Sequence, residues 1–210
     1  VEPYLNALFR EIEVCARMIR EFGLDIRVGY IGGGTPSSLN TEQLERLLNH
    51  IEKHFGKLDE FTVEAGRPDT LDEEKLRMIY SHPVTRISIN PQTMNDDTLI
   101  RIGRAHTAQQ TEQAFELARK IGFKDINMDV IAALPGEDYE KFAYTLERVR
   151  EMKPESLTVH TLAIKRSSKL HEVKYAQNEQ DVAQMVELGK QTAHEMGMRA
   201  YYLYRQKNMA

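Results

Sequence analysis

The hydrophobic positions of this chain follow two alternating patterns. Several long segments repeat an apolar residue every three or four positions, which is typical of amphipathic helices. The first such stripe is Leu5, Leu8, Ile12, Cys15, Ile19 and Phe22. Later helices are predicted to begin near Asn40, Thr70, Asn95 and Thr107, and further stripes cover Phe142–Val149 and Val182–Met196. The pairs Asn40 with Gln43, Thr70 with Glu73 and Thr107 with Gln110 are typical of capping boxes, which mark helix starts.

Short apolar runs lie between these helices and predict strands. The runs are Arg27–Ile31, Phe61–Ala65, Arg86–Asn90, Ile126–Ile131, Leu157–Leu162 and Ala200–Tyr204. Strands that alternate with helices indicate an α/β fold, in which parallel strands are joined by right-handed crossovers.

One face of the predicted strands is polar. It carries Thr62, Glu64, Ser88, Asn90, Asn127, Asp129, Thr158 and His160, with Gln92 just beyond a strand end. Parallel strands that are buried on both faces usually read as continuous apolar runs. The pattern therefore favours an open barrel whose lumen holds a polar ligand. The alternative is that some strands lie at a sheet edge and their polar faces are simply solvated.

Composition narrows the class of protein. The chain has 210 residues, 41% hydrophobic and 29% charged, with a net charge of −4, which is typical of one globular domain with a substantial core. It has no basic block that would indicate a nucleic-acid partner and no apolar run long enough to span a membrane. A single cysteine, Cys15, excludes a disulfide within the chain and fits the cytoplasm. Because Cys15 falls in a helical stripe, we predict a buried, inert thiol.

A run of three glycines lies between the first predicted strand and the helix predicted to begin near Asn40, in the segment Tyr30–Ser37 (YIGGGTPS). Consecutive glycines are costly to order, so they are expected where the backbone turns sharply or touches a ligand. Pro36 delays the next helix, which would leave the amides of Gly33, Gly34 and Thr35 free for a ligand. The spacing matches neither common nucleotide-binding loop. The alternative is a tight structural turn.

Several charged residues are candidates for chemistry. Glu64 and Asp129 end predicted strands, where barrel enzymes place working groups, and each is equally compatible with a structural salt bridge. Arg104 offers a fork for a carboxylate, although a lone arginine is more often solvated. His106 and His160 are candidate acid–base groups, although a lone histidine is more often a satisfied structural residue.

Together these segments resemble the radical S-adenosylmethionine (radical SAM) family, and within it the oxygen-independent coproporphyrinogen III oxidase group. The matching segments, in the family's order, are Tyr30–Ser37, Thr62–Ala65, Arg86–Thr93, Ile102–His106 and Ile126–Gly136. The HemZ-type branch is most similar, because Glu64 is followed by Ala-Gly-Arg-Pro-Asp. The family more commonly has Asn-Pro soon after the glutamate, so Gly66 and Arg67 depart from its pattern.

The resemblance implies a partial (β/α)6 TIM-like barrel, with parallel strands inside outer helices, whose first strand is missing from this chain. It also implies S-adenosylmethionine and a 4Fe–4S cluster as cofactors. Gly33, Gly34 and Thr35 would lie along the methionine amino group and backbone, and Glu64 would face the ribose or amino end. Gln92 and Arg104 would hold ribose and carboxylate, and Asp129 would hold a ribose hydroxyl.

The cluster ligands of this family are three cysteines, spaced Cys-x3-Cys-x2-Cys, that precede the first helix. This chain contains one cysteine, so we assign none of its residues as a metal ligand. We expect residues 1–210 to be the central barrel domain, incomplete at both ends. The chain by itself would then be inactive.

The implied activity of the intact protein is the oxidative decarboxylation of coproporphyrinogen III to protoporphyrinogen IX. Its partners would be a tetrapyrrole substrate and an electron donor for the cluster. One alternative is a haem chaperone of the same family, for which His106, His160 and His171 are candidate haem ligands. The other is a barrel that binds a phosphate or sugar and uses no cluster.

Overall fold

A computed structural model describes residues 1–162 and 179–201 of the protein. The helices are α1 Glu2–Glu21, α2 Thr41–Phe55, α3 Glu73–Ser81, α4 Asp96–Arg101, α5 Ala108–Ile121, α6 Tyr139–Met152 and α7 Glu179–Glu195. The strands are β1 Val28–Ile31, β2 Glu60–Glu64, β3 Arg86–Ser88, β4 Ile126–Ala132 and β5 Ser156–Thr161. The predicted alternation of strands and helices is confirmed. The predicted strand Ala200–Tyr204 lies mostly outside the described residues.

The first of two compact units comprises residues 1–89 and 113–126. Its strands β1, β2 and β3 are parallel and adjacent in chain order, and Glu64 pairs with Ser88 at the carboxyl end. The buried apolar residues of this unit include Leu5, Leu44, Leu48, Phe61, Val63, Leu76, Ile79 and Ile87. The helices α1, α2 and α3 contact one another in sequence. Parallel pairing brings the loops that follow β1 and β2 to the same edge.

The second unit comprises residues 90–112 and 127–210. Its strands β4 and β5 are parallel, and α7 contacts both α6 and β5. Along β4 buried and half-buried residues alternate, so Met128 and Val130 are buried while Asn127 and Asp129 are half-buried. The predicted division of this strand into an apolar and a polar face is confirmed.

Helix starts follow the predicted capping pairs with one exception. The Asn40 side chain accepts a bond from the Gln43 amide at 2.8 Å, and the Gln43 side chain returns a bond to the Asn40 amide. Thr107 and Gln110 exchange the same two bonds at α5. The prediction that Thr70 caps α3 is wrong, because Asp72 accepts the bond from the Lys75 amide at 2.7 Å. The Thr70 hydroxyl instead donates to the Arg67 carbonyl.

The prediction that Cys15 is buried is also wrong, since this thiol is exposed. In α1 the buried residues are Leu5 and Ala16, so the covered face passes beside Cys15 and not through it. A three-to-four spacing leaves a stripe broad enough for its edge residues to remain in solvent. Within the part of the chain that the structure describes, no helix is long and apolar enough to cross a membrane.

A half-buried acidic side chain, that of Glu137, lies at the end of the turn after β4. The Glu137 carboxylate accepts bonds from the Thr93 hydroxyl and from the Asn95 side-chain amide. The Thr145 hydroxyl joins the cluster by accepting a bond from the Met94 amide at 3.0 Å. Burial raises the pKa of Glu137 above its ordinary value, and the bonds from Thr93 and Asn95 only partly oppose this.

We expect Glu137→Gln to flatten the dependence of stability on pH. A carboxyl whose pKa is raised by folding contributes its full stability below the pKa of the unfolded chain. That contribution is lost as the pH rises through the folded-state value, at about 1.4 kcal/mol for each unit between the two pKa values. Urea unfolding between about pH 4 and pH 8 measures this, with the exposed Glu140→Gln as control. A Glu137→Gln variant with the same pH slope as the parent would contradict it.

Candidate functional site

The glycine loop leaves β1 with its backbone open to solvent on one side. Gly33 has φ +107°, and an ideal Cβ placed on Gly33 or Gly34 meets no atom within 4 Å. Thr35 has φ 73°, a left-handed conformation that is uncommon for a residue other than glycine. Strained backbone of this kind is concentrated at ligand sites. The loop therefore offers an uncovered cradle that a ligand can approach closely.

Glu64, at the carboxyl end of β2, reaches this loop. The Gly33 amide donates to Glu64 Oε2 at 3.2 Å, so this amide is not free as the sequence suggested. A Cβ on Gly32 would lie 2.9 Å from the same oxygen and 2.2 Å from the Tyr30 ring, so a larger residue there would displace one of these two side chains. The structure thus brings together the glycine loop and the carboxylate, as the adjacency of β1 and β2 requires.

Lys75 joins the glycine loop to the segment that follows β2. Its side chain is buried, and Nζ donates to the carbonyls of Ser37 at 2.7 Å and Thr70 at 3.1 Å. The hydroxyls of Ser37 and Thr70 lie 2.7 Å apart. Burial lowers the pKa of Lys75, and the nearby Asp72 carboxylate opposes this. We infer that Lys75 positions both loops of the candidate site.

Sequence reasoning missed Lys75, because lysine is almost never buried without a partner and a lysine in a first helical turn indicates a solvated side chain.

The departure from the family pattern at Arg67 is also accommodated locally. Arg67 immediately precedes the turn Pro68–Thr70, and its guanidinium pairs at 2.7 Å with Asp69 within that turn. The segment after Glu64 is therefore held by its own ion pair and by Lys75.

We expect Lys75→Met to lower the free energy of unfolding by about 1–3 kcal/mol, because the buried carbonyl of Ser37 and the partly buried carbonyl of Thr70 lose their donor. Lys53→Met is the control, since Lys53 is an exposed lysine of α2 and a surface change there should cost less than about 0.5 kcal/mol. Urea titration of both variants measures the difference. Equal midpoints would show that the bonds of Lys75 contribute nothing to the loops.

Gln92, in the second unit, forms backbone hydrogen bonds with β4 and itself has a strained backbone conformation. It is buried with φ 65°, its amide donates to the Asp129 carbonyl at 3.0 Å, and its carbonyl accepts from the Ile131 amide at 2.9 Å. A glutamine in the left-handed region is held there by these strand-like bonds on both sides. Gln92 and Asp129 are therefore neighbours.

A polar row surrounds the Asp129 carboxylate. Asn127 Nδ2 donates to Asp129 Oδ1 at 2.8 Å, and the Thr158 hydroxyl donates to Asn127 Oδ1 at 3.2 Å. His160 Nε2 lies 3.8 Å from Asp129 Oδ2. These contacts hold the carboxylate on the half-buried face of β4, where it can accept bonds from a ligand hydroxyl.

The loop after α4 carries Arg104 and His106. Gly103, with φ 74°, donates to the Ile100 carbonyl, and the Arg104 amide donates to Leu99 at 2.9 Å, which is a Schellman end. His106 is 2% exposed and its Nε2 lies 3.3 Å from the Pro91 carbonyl, beside Gln92. This favours a structural role for His106 over acid–base chemistry. His171 lies outside the described residues.

The predicted site residues thus form two groups. The first unit contains Gly33, Gly34, Thr35 and Glu64, and the second contains Gln92, Arg104 and Asp129. Glu64 ends β2, and Gly33, Gly34 and Thr35 follow β1. Gln92 follows β3, but Arg104 lies in the loop after α4. The prediction that Asp129 ends a strand is wrong, because Asp129 lies in the middle of β4.

Comparison with known proteins adds independent information. The family described as the radical SAM superfamily matches residues 4–149. The oxygen-independent coproporphyrinogen-III oxidase-like protein HemZ of Bacillus subtilis is 41% identical over 216 residues, covering 100% of this chain and 43% of that protein. The heme chaperone HemW of the same organism is 37% identical over 167 residues, covering 78% of this chain and 43% of its own length.

A solved structure also matches. Coproporphyrinogen III oxidase (HemN) from Escherichia coli, described as a radical SAM enzyme, aligns with a TM-score of 0.80 and 27% identity, covering 93% of this chain and 46% of that chain. This match confirms the predicted fold. The chain spans less than half the length of each of these relatives.

Proposed function

We propose that this chain, which belongs to the radical SAM superfamily, forms the cofactor-binding barrel of an enzyme that oxidatively decarboxylates a coproporphyrinogen. The observation that carries the proposal is the uncovered backbone of Gly33 and Gly34 beside the Glu64 carboxylate. An open glycine cradle with an adjacent carboxylate suits a ligand that carries an ammonium group, such as the methionine end of S-adenosylmethionine. The identity of 41% with the HemZ protein across the whole chain supports the choice of substrate class.

The family implies S-adenosylmethionine and a 4Fe–4S cluster as cofactors. When bound, they supply the radical chemistry that removes a hydrogen atom from the substrate. The chain's own residues fit the first cofactor, because the cradle is open and acceptors lie beside it. They do not fit the cluster, since iron–sulfur clusters need several thiolates and the chain has one cysteine. We infer that the cluster ligands lie outside this chain.

Each residue then has a defined task. Glu64 accepts hydrogen bonds from the ammonium, while the backbone at Gly33, Gly34 and Thr35 lets the amino-acid part approach closely. Arg104 offers a bidentate fork for the cofactor carboxylate. Gln92 and Asp129 hold ribose hydroxyls, and the bond from Asn127 fixes the direction of the Asp129 carboxylate.

The reaction at the substrate sets the other requirements. Each propionate becomes a vinyl group when it loses one hydrogen atom, one electron and carbon dioxide. The protein therefore needs a donor that reduces the cluster and an acceptor for the electron that leaves the substrate. In this account the barrel positions the cofactor and excludes water from the reacting carbon.

A second candidate is a haem chaperone, which the identity of 37% with HemW favours. Of the described histidines considered for haem, His106 is buried against the Pro91 carbonyl, and His160 lies beside Asp129. Haem binding would therefore draw on residues beyond these two or displace the contacts that they make.

One experiment separates these functions. A preparation that includes the proposed upstream cysteines is reconstituted without oxygen, reduced, and given S-adenosylmethionine with coproporphyrinogen III. Protoporphyrinogen formation and carbon dioxide release are expected. Stoichiometric haem binding without decarboxylation would favour the chaperone instead. A preparation that binds no iron–sulfur cluster would refute the proposed decarboxylase.

A further inference from the structure

Three potential metal ligands lie together where α1 meets α2. Glu13 is on α1, and His50 and His54 are on α2, four residues apart and hence on one face of that helix. One ligand atom from each of the three residues lies within 4.8 Å of the others. All three belong to the first unit, and none is among the residues assigned to the cofactor.

The contacts of this cluster suit a metal. His50 Nε2 lies 3.6 Å from Glu13 Oε1 and 3.1 Å from the Phe9 carbonyl. The rings of His50 and His54 have centroids 4.7 Å apart. His54 Nε2 is buried and, among the described residues, has no hydrogen-bond partner. A buried nitrogen left unsatisfied costs free energy, and a bound ion is a common way to satisfy it.

We propose that Glu13, His50 and His54 bind one divalent transition-metal ion of the zinc class, which ties α1 to α2. Two imidazoles and one carboxylate are a ligand set that zinc accepts, and three protein ligands leave a fourth position for water. The ion replaces the hydrogen bond between His50 and the Phe9 carbonyl and supplies the partner that His54 Nε2 lacks.

The test uses the 210-residue chain without cluster reconstitution, so its result does not bear on the proposed enzyme activity. A Cys15→Ser background removes the only thiol as a competing ligand. Zinc chloride is titrated calorimetrically into metal-free protein, and melting temperature is followed with zinc and with magnesium. One zinc ion per chain is expected, with a higher melting temperature in zinc only.

Single substitutions test which side chains bind the zinc ion. His54→Gln and the exposed Glu13→Gln are each expected to weaken zinc binding by at least about tenfold. His194→Gln, at an exposed histidine of α7, should leave it unchanged. Circular dichroism of the metal-free variants checks folding, and Glu13→Gln keeps the test valid if His54→Gln unfolds. No saturable binding in the parent, or undiminished binding in the folded variants, would overturn the proposal.

Discussion

Gly34→Ala is expected to weaken the binding of S-adenosylmethionine while leaving the protein folded. In the structure a Cβ at Gly34 meets no atom within 4 Å, and the φ of this residue lies outside the left-handed region. Alanine therefore fits without strain and should add about 0.4–1 kcal/mol to the free energy of unfolding. The added methyl occupies the space that the cofactor backbone needs. We expect its dissociation constant to rise by at least about tenfold, or ~1.4 kcal/mol.

Gly23→Ala is the matched control for this prediction. Gly23 also has open space around an added Cβ, but its φ is +62°, so alanine is strained there by about 1–2 kcal/mol. This variant should lose stability and keep cofactor affinity, which is the reverse of Gly34→Ala. Equilibrium dialysis on the cluster-loaded protein and urea unfolding provide the two measurements. Unchanged cofactor affinity in Gly34→Ala would remove the glycine loop from the site.

Glu64→Gln is expected to have the second large effect. The amide oxygen of glutamine can still accept the bond from Gly33, so the loop should stay in place. The negative charge that faces the cofactor ammonium is lost, however. A hydrogen bond to a charged group contributes about 1.5–3 kcal/mol, so affinity should fall by about ten- to a hundredfold.

Glu60→Gln is the control, because it removes a carboxylate from the same strand without removing the charge that faces the cofactor. Glu60 lies on β2 four residues before Glu64, at the other end of the strand, and pairs with Arg86 at 2.9 Å. Arg86 retains its bond to Asp125 in that variant. Cofactor affinity should be that of the parent in Glu60→Gln. Equal losses in both variants would mean that Glu64 does not contact the cofactor.

The sequence predicted the elements well where local signals agreed. Capping pairs at Asn40 and Thr107 marked the starts of α2 and α5, and the alternation in β4 separated its buried and polar faces. The parallel arrangement also placed Glu64 beside the glycine loop. These features follow from short-range chemistry and from the rule that parallel strands align their carboxyl ends.

Features that depend on tertiary contacts were not predicted. Asp72 caps α3, while the Thr70 hydroxyl bonds to the Arg67 carbonyl and lies 2.7 Å from the Ser37 hydroxyl. Lys75 is buried where the carbonyls of Ser37 and Thr70 accept its hydrogen bonds. Cys15 is exposed because α1 packs through the face that contains Leu5 and Ala16, and Cys15 lies beside that face. The juxtaposition of Glu13 with two histidines depends on how α1 and α2 pack, which no local pattern encodes.

The most direct test of the central claim is reductive cleavage of S-adenosylmethionine by the intact protein. A preparation with the proposed upstream cysteines is loaded with iron and sulfide without oxygen and reduced with dithionite, and 5′-deoxyadenosine is quantified. We expect this product to form, and we expect its rate of formation to fall at least about tenfold in Glu64→Gln assayed at limiting cofactor. A protein that holds its cluster and forms no 5′-deoxyadenosine, with or without coproporphyrinogen III, would contradict it.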